Sequence, residues 1–180
     1  MGYGGDEIKE ILADRELRKH AGRIKKIDNG HDLPYLAGIS KDGEILYIDR
    51  HVPEKIELKT SGKTISFDPR RFLGYHESWE QAEMDRGMKY QQAHRVGTGV
   101  ERYYLTLQFG PEFWAPYQKY WGPFIKADEH EKLQNVPEDL EMRPYLAKPV
   151  DRALLKQMHT AQGNDDKNRL IRQRCPELYE

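Results

Sequence analysis

Tyr35-Leu36-Ala37-Gly38-Ile39-Ser40-Lys41-Asp42-Gly43-Glu44-Ile45-Leu46-Tyr47-Ile48-Asp49 is the stretch whose reading decides the fold class. Two apolar runs, 35–40 and 44–49, flank Lys41-Asp42-Gly43, and an Asp-Gly pair between apolar runs is the local signature of a β-hairpin. A third strand is expected at 55–58 or at 64–67, after the turn at Ser61-Gly62-Lys63. The N-terminal half therefore reads as a small, mostly antiparallel sheet.

Upstream, residues 6–26 carry Ile8, Ile11, Leu12, Leu17 and Ile24 among many charges, a loose helical spacing that predicts one solvated helix ending at Asp28-Asn29-Gly30. Downstream, Asp68-Pro69 announces the change to helix. Asp is a strong N-cap, and Pro is favoured at the first helical position, where its missing N–H costs nothing. A helix is predicted over 69–86, with Phe72, Tyr75, Trp79 and Ala82 as its apolar stripe and Gly87 as its stop. A second helix is predicted over 88–107. Gly97 and Gly99 inside it each cost about 1 kcal/mol relative to Ala, so close packing of a neighbouring helix is the expected reason for them. The class is α+β.

Beyond Phe109-Gly110-Pro111, residues 112–126 hold Phe113, Trp114, Tyr117, Tyr120, Trp121 and Phe124 around two prolines, which predicts broken helical turns used for core packing or a subunit contact. Proline punctuates the connection 136–145, and 150–160 reads as a short amphipathic helix. One domain is expected over 1–162, with a polar tail at 163–180.

Composition limits the function. Lys and Arg total 29 against 30 Asp and Glu, a net charge of -1, so no basic field draws nucleic acid or an anionic membrane. No run of 18 apolar residues occurs, and the N-terminus lacks the regions of a signal peptide, so a cytoplasmic location is expected. The single cysteine, Cys175, builds neither an intrachain disulfide nor a cysteine-rich zinc site. Any metal must sit on His and carboxylate.

His76-Glu77-Ser78-Trp79-Glu80 supplies that chemistry. His76 and Glu80 are four apart and leave one helical face together, while Glu77 points elsewhere. On the next helix Tyr90, His94, Gly97, Glu101 and Tyr104 recur at three and four residues. Burying His76, Glu80, His94 and Glu101 unpaired costs several kcal/mol each, whereas a divalent cation offsets the carboxylates and uses neutral imidazoles as ligands. Two imidazoles and one carboxylate suit Zn2+, with iron, manganese or nickel as alternatives. Glu101 is either a fourth ligand or an acceptor behind the ligands that fixes an imidazole. His51 reads as a turn histidine, and His20, His31, His130 and His159 as solvent-facing.

These residues resemble the His-Glu-x-x-His helix of gluzincin-type zinc metallopeptidases over some 26 residues. Glu80 stands where that motif has its second His, and His94 on the next helix where those enzymes have Glu. The resemblance implies a hydrolase with His76, Glu80 and His94 as ligands and Glu77 as general base toward metal-bound water. Tyr90 or Tyr104 would then hydrogen-bond the developing oxyanion, and 47–49 would be an edge strand that pairs with a peptide or protein substrate. The region from about 33 to 145 also resembles an uncharacterised family of short bacterial and prophage proteins, with Tyr-Ile-Asp-Arg before His-Glu-x-x-Glu and a later Ala-His. That resemblance implies the alternative, a non-catalytic, metal-stabilised structural or assembly module of a phage particle with phage proteins as partners.

Overall fold

In a computed structural model, residues 3–124, 133 and 135–147 are described. The hairpin forms as expected. Strands β2 (Ala37–Ile39) and β3 (Ile45–Asp49) pair antiparallel, with Gly38 opposite Tyr47. The turn needs its glycine, because Gly43 sits at φ +77° and a Cβ there would meet Gln81 Oε1 at 2.8 Å. Ser40 completes the turn, its Oγ accepting from Glu44 N–H at 3.1 Å and Ile45 N–H at 2.9 Å.

β3 is the central strand of its sheet, since β1 (Lys26–His31) lies parallel on its other side, giving the order β1-β3-β2. Both candidate third strands exist, β4 (Ile56–Lys59) and β5 (Thr64–Phe67), and they pair with each other antiparallel as a separate two-stranded sheet. Ile56 and Leu58 alternate inward between exposed Glu57 and Lys59, the period-two burial of a half-covered strand.

The single solvated helix expected over 6–26 is two helices and a strand. Asp14 interrupts it, capping α2 (Arg15–Ala21) by accepting from Glu16 N–H at 2.9 Å and Leu17 N–H at 3.1 Å, so that α1 (Gly5–Ala13) stops there. Nor are the helices merely solvated: Ile8, Leu12 and Leu17 are buried against Trp79, Val96 and Val100.

Helices α3 (Arg70–Asp85) and α4 (Tyr90–Phe109) are the frame of the molecule. Gly87, at φ +93°, ends the first where the sequence placed its stop. Gly97 explains itself: a Cβ there would lie 2.7 Å from the His76 carbonyl oxygen, so α3 and α4 touch backbone to backbone at this level. A 3-10 turn (Pro111–Phe113) and α5 (Trp114–Trp121) then fold the aromatic stretch into the core, where Phe113, Tyr117 and Trp121 are buried beside Phe72. The short α6 (Arg143–Leu146) follows, and Tyr145 buries against Leu33, Tyr47 and Leu140. Among the described residues no helix is long and apolar enough to cross a membrane. The helix expected at 150–160, the tail at 163–180, His130 and His159 lie outside the described residues.

Candidate metal centre

The close contact at Gly97 brings three donor atoms of α3 and α4 together. His76 Nε2 lies 3.1 Å from His94 Nδ1 and 3.5 Å from Glu80 Oε2, and His94 Nδ1 lies 2.7 Å from Glu80 Oε2. Ligand atoms bound tetrahedrally to zinc at about 2.0–2.2 Å stand roughly 3.3–3.5 Å apart, so this triangle is close to the required size and slightly contracted. Glu80 is buried and His76 nearly so, while His94 is partly open to the cleft.

Proton bookkeeping strains this arrangement as a plain hydrogen-bond network. One proton on His94 Nδ1 serves Glu80 or His76, not both well; a proton on His76 Nε2 aimed at His94 leaves Glu80 without its donor at 2.7 Å, and protons on both nitrogens set two N–H groups face to face at 3.1 Å. A cation in the triangle satisfies all three lone pairs at once.

Glu101 does not join them. Its Oε2 lies 3.0 Å from His76 Nδ1, on the other nitrogen of the ring, and its Oε1 accepts from the Tyr117 hydroxyl at 2.7 Å. Of the two roles open to Glu101, the structure places it behind His76 rather than beside the other donors, where it accepts from His76 Nδ1–H and orients the ring with Nε2 toward them. Tyr117 is a participant that the sequence reading assigned only to packing. No periodicity within α5 signals that its hydroxyl reaches a carboxylate on α4.

Glu77 does not point away from the cluster. It lines the same cleft as His76, His94 and Tyr90, together with Tyr35. Burial, reinforced by the neighbouring Glu80 charge, pushes its carboxyl up to about 8. Burial alone would lower His76, but hydrogen bonds to Glu101 and Glu80 outweigh it and hold the imidazole well above its ordinary value. For Glu80 the opposing effects resolve downward, because the bonds from His76 and His94 overcome burial.

The two tyrosines separate. Tyr90 sits at the cleft with its ring 5.6 Å from that of His94, whereas Tyr104 is stacked on Tyr75 at 4.2 Å between centroids and packed among core residues. The expected edge strand also changes identity. Residues 47–49 belong to the central strand, and the edge beside α3 is β2, whose Ala37 lines the cleft. His51 stays away, its Nδ1 2.9 Å from Asp49 Oδ1 at the far end of β3, near Asp32. His31 is not solvent-facing either: its Nδ1 is 3.1 Å from Asn135 O and its ring meets Tyr47 edge-on.

What fold and site define is an α+β protein with a two-helix His-Glu-His cluster at the floor of a cleft. Compared with known proteins, the chain matches no family model, no curated protein and no solved structure.

Proposed function

We propose that this protein is a zinc-dependent hydrolase of metallopeptidase type, with His76 Nε2, Glu80 Oε2 and His94 Nδ1 as the metal ligands. The observation that carries the reading is the convergence of these three donors within 3.5 Å at the base of an accessible cleft, with Glu101 engaged elsewhere. Three protein ligands leave a position open, the arrangement that catalysis requires and a closed structural site lacks. A bound ion would supply Lewis acidity toward a scissile carbonyl and bring the pKa of its water down to about 7.

The chain's own residues do the rest. Glu77, whose carboxyl the charge of a bound cation would return to the ionised form, takes the proton as water adds to the carbonyl carbon, then delivers it to the leaving amine as the C–N bond breaks. Tyr90 donates its hydroxyl proton in a hydrogen bond to the developing oxyanion. Along β2, Leu36 and Ser40 bond to β3, so by alternation Ala37 and Ile39 face away from it; Ile39 O already accepts from Glu141 N–H at 2.8 Å, which leaves Ala37 as the one position of β2 where an extended peptide would pair. A cytoplasmic place of action, free or on a phage particle, goes with this reading.

The purified protein is expected to hold one zinc per chain. Glu77→Gln is expected to retain that zinc and to lose about 10²- to 10⁴-fold of its hydrolysis of a denatured protein substrate. Retained zinc with no hydrolysis by either form favours the rival, a metal-stabilised assembly module of a phage particle. Absence of stoichiometric metal, together with an unchanged melting point in His76→Ala, overturns both.

A further inference from the structure

The cleft does not end at the metal cluster. It encloses about 350 Å³ and runs from His76 and His94 toward α5, within the range of pockets that take a side chain or small ligand. Its far part is walled by Leu36 before β2, Leu73 of α3, Thr98 of α4, and Trp114, Tyr117 and Trp121 of α5. Three aromatic rings and two aliphatic side chains thus face one space, and indole and phenol rings bind flat or branched apolar groups with a large contact area.

Charge sharpens the choice of occupant. None of the described residues lining this cleft is Lys or Arg. Its carboxylates are Glu77 and Glu101, and Glu101 has both oxygens engaged, by His76 and Tyr117. Among the described residues of the far part a carboxylate or phosphate meets acid and aromatic carbon with no cation lining the space, Arg102 lying over the Trp114 ring outside that lining, and desolvation would go unreturned. A protonated lysine fares no better there, since Glu77 stands at the metal end and the described residues at the α5 end offer no free acid.

We infer that this aromatic cleft is the specificity subsite of the proposed hydrolase, and that it takes a bulky uncharged side chain, aromatic or branched aliphatic, next to the scissile bond of an extended peptide. The inference rests on the metal reading for its placement next to the reacting bond, while the pocket itself is tested separately.

The test uses the zinc-loaded protein and calorimetric titration with hydroxamates of N-acetylated Phe, Leu, Gly, Asp and Lys, which share one zinc-binding group and differ only in side chain. The Phe and Leu compounds are expected to bind about tenfold or more tighter than the Gly compound, or about 1.4 kcal/mol, with Asp and Lys no better than Gly. Trp114→Ala, which opens the wall, and Thr98→Phe, which fills the space without removing core, are each expected to bring the Phe-to-Gly ratio near one. Acetohydroxamate, too small to reach the far part, is expected to bind both variants as it binds the parent. Equal affinity for Phe and Gly with intact acetohydroxamate binding overturns the subsite and leaves the metal reading standing, and so does a preference for Asp or Lys. If acetohydroxamate and zinc both fail to bind, the metal reading falls. The pocket is then decided by N-acetyl-phenylalaninamide, which has no metal-binding group. Binding that Thr98→Phe abolishes keeps the pocket, and no binding overturns it.

Discussion

Tyr117, Glu101 and His76 form a chain of hydrogen bonds that begins in the aromatic core and ends at a proposed metal ligand. Tyr117 is almost fully buried, and burial together with the Glu101 charge holds its hydroxyl protonated well beyond the ordinary range, so it is a permanent donor. Glu101 in turn accepts from His76 Nδ1–H and sets the orientation of the ring. Loss of such a partner behind a ligand typically lowers metal affinity about 10- to 100-fold, and Glu101→Gln is expected to do so in a zinc competition titration against a chromophoric chelator. Tyr117→Phe leaves Glu101 Oε1 buried without its donor, which is expected to cost about 1–3 kcal/mol in a denaturant melt and to weaken zinc less than Glu101→Gln does. An unchanged zinc affinity in Glu101→Gln would remove Glu101 from the site altogether. At this scale the sequence was legible as far as the helical face. Spacings of four and seven put His76, Glu80, His94 and Glu101 on facing stripes, yet periodicity says nothing about where a four-atom glutamate tip ends. It therefore left Glu101's role open and turned Glu77 the wrong way.

Elements record the same limit differently, because helices with caps and stops are readable and polar strands are not. α3 and α4 were marked by Asp68-Pro69, Gly87 and apolar stripes, and the hairpin by Asp42-Gly43. β1 was missed: its burial is low on both faces, with Ile27 half-exposed, and Asp28-Asn29-Gly30 carries turn chemistry. Only its parallel pairing to β3, a long-range contact, makes it a strand. Asp14 was hidden because a carboxylate within a run of charges looks like surface. The two helical glycines now give opposite expectations for the same substitution. Gly97→Ala sets a Cβ against the His76 backbone, which has nowhere to go, and is expected to lose about 1–3 kcal/mol along with zinc affinity. Gly99→Ala meets buried Ile8 instead, its Cδ1 at 2.5 Å and Cγ1 at 3.1 Å, and that side chain, unlike a backbone, can change rotamer at some cost. Its gain of about 1 kcal/mol in helix propensity offsets that shift, so its stability is expected to be near that of the parent in the same melt. Asp14 provides the pH dependence. The Leu17 N–H bond, ahead of the Arg86 charge, holds its carboxyl below the ordinary 3.8. A depressed folded pKa means that its contribution is complete above that value and fades as pH falls through the folded one. Asp14→Ala is thus expected to melt about 2–4 °C below the parent at pH 7, with the gap closing in acid, by circular dichroism at stepped pH.

Across the whole molecule, the candidate site is where distant parts of the chain meet. β2, α3, α4, α5 and α6 all contribute residues to the two connected hollows around His76, from Tyr35 to Tyr145. Ala37 and Tyr117 belong to one hydrophobic cluster, Tyr145 to a second, and Trp79 and Val96, on the helices that bear the ligands, to a third. Local pattern foretold the α+β class and the two helices that carry His76, Glu80 and His94, because these depend on spacings within one element. Which strand lies beside the cluster depends on sheet order, a property of contacts between segments far apart in the chain, and so 47–49 was expected where β2 stands. The same dispersion would make a bound metal a stabiliser of the native state. In the unfolded chain His76 and Glu80 remain neighbours, but His94 comes near them only through the packing of α4 on α3, so an ion would bind the folded form far better. Binding to the native state alone adds RT ln(1 + [L]/Kd), about 2.7 kcal/mol at a free zinc level of a hundredfold over Kd. For a chain of this size that raises Tm by about 5–10 °C. Calorimetric scans with zinc and with excess chelator are expected to differ by this amount in the parent and hardly at all in His94→Ala. Coincident scans in the parent would mean that the three donors bind no ion, and the triangle at the cleft floor would then be a hydrogen-bonded network alone.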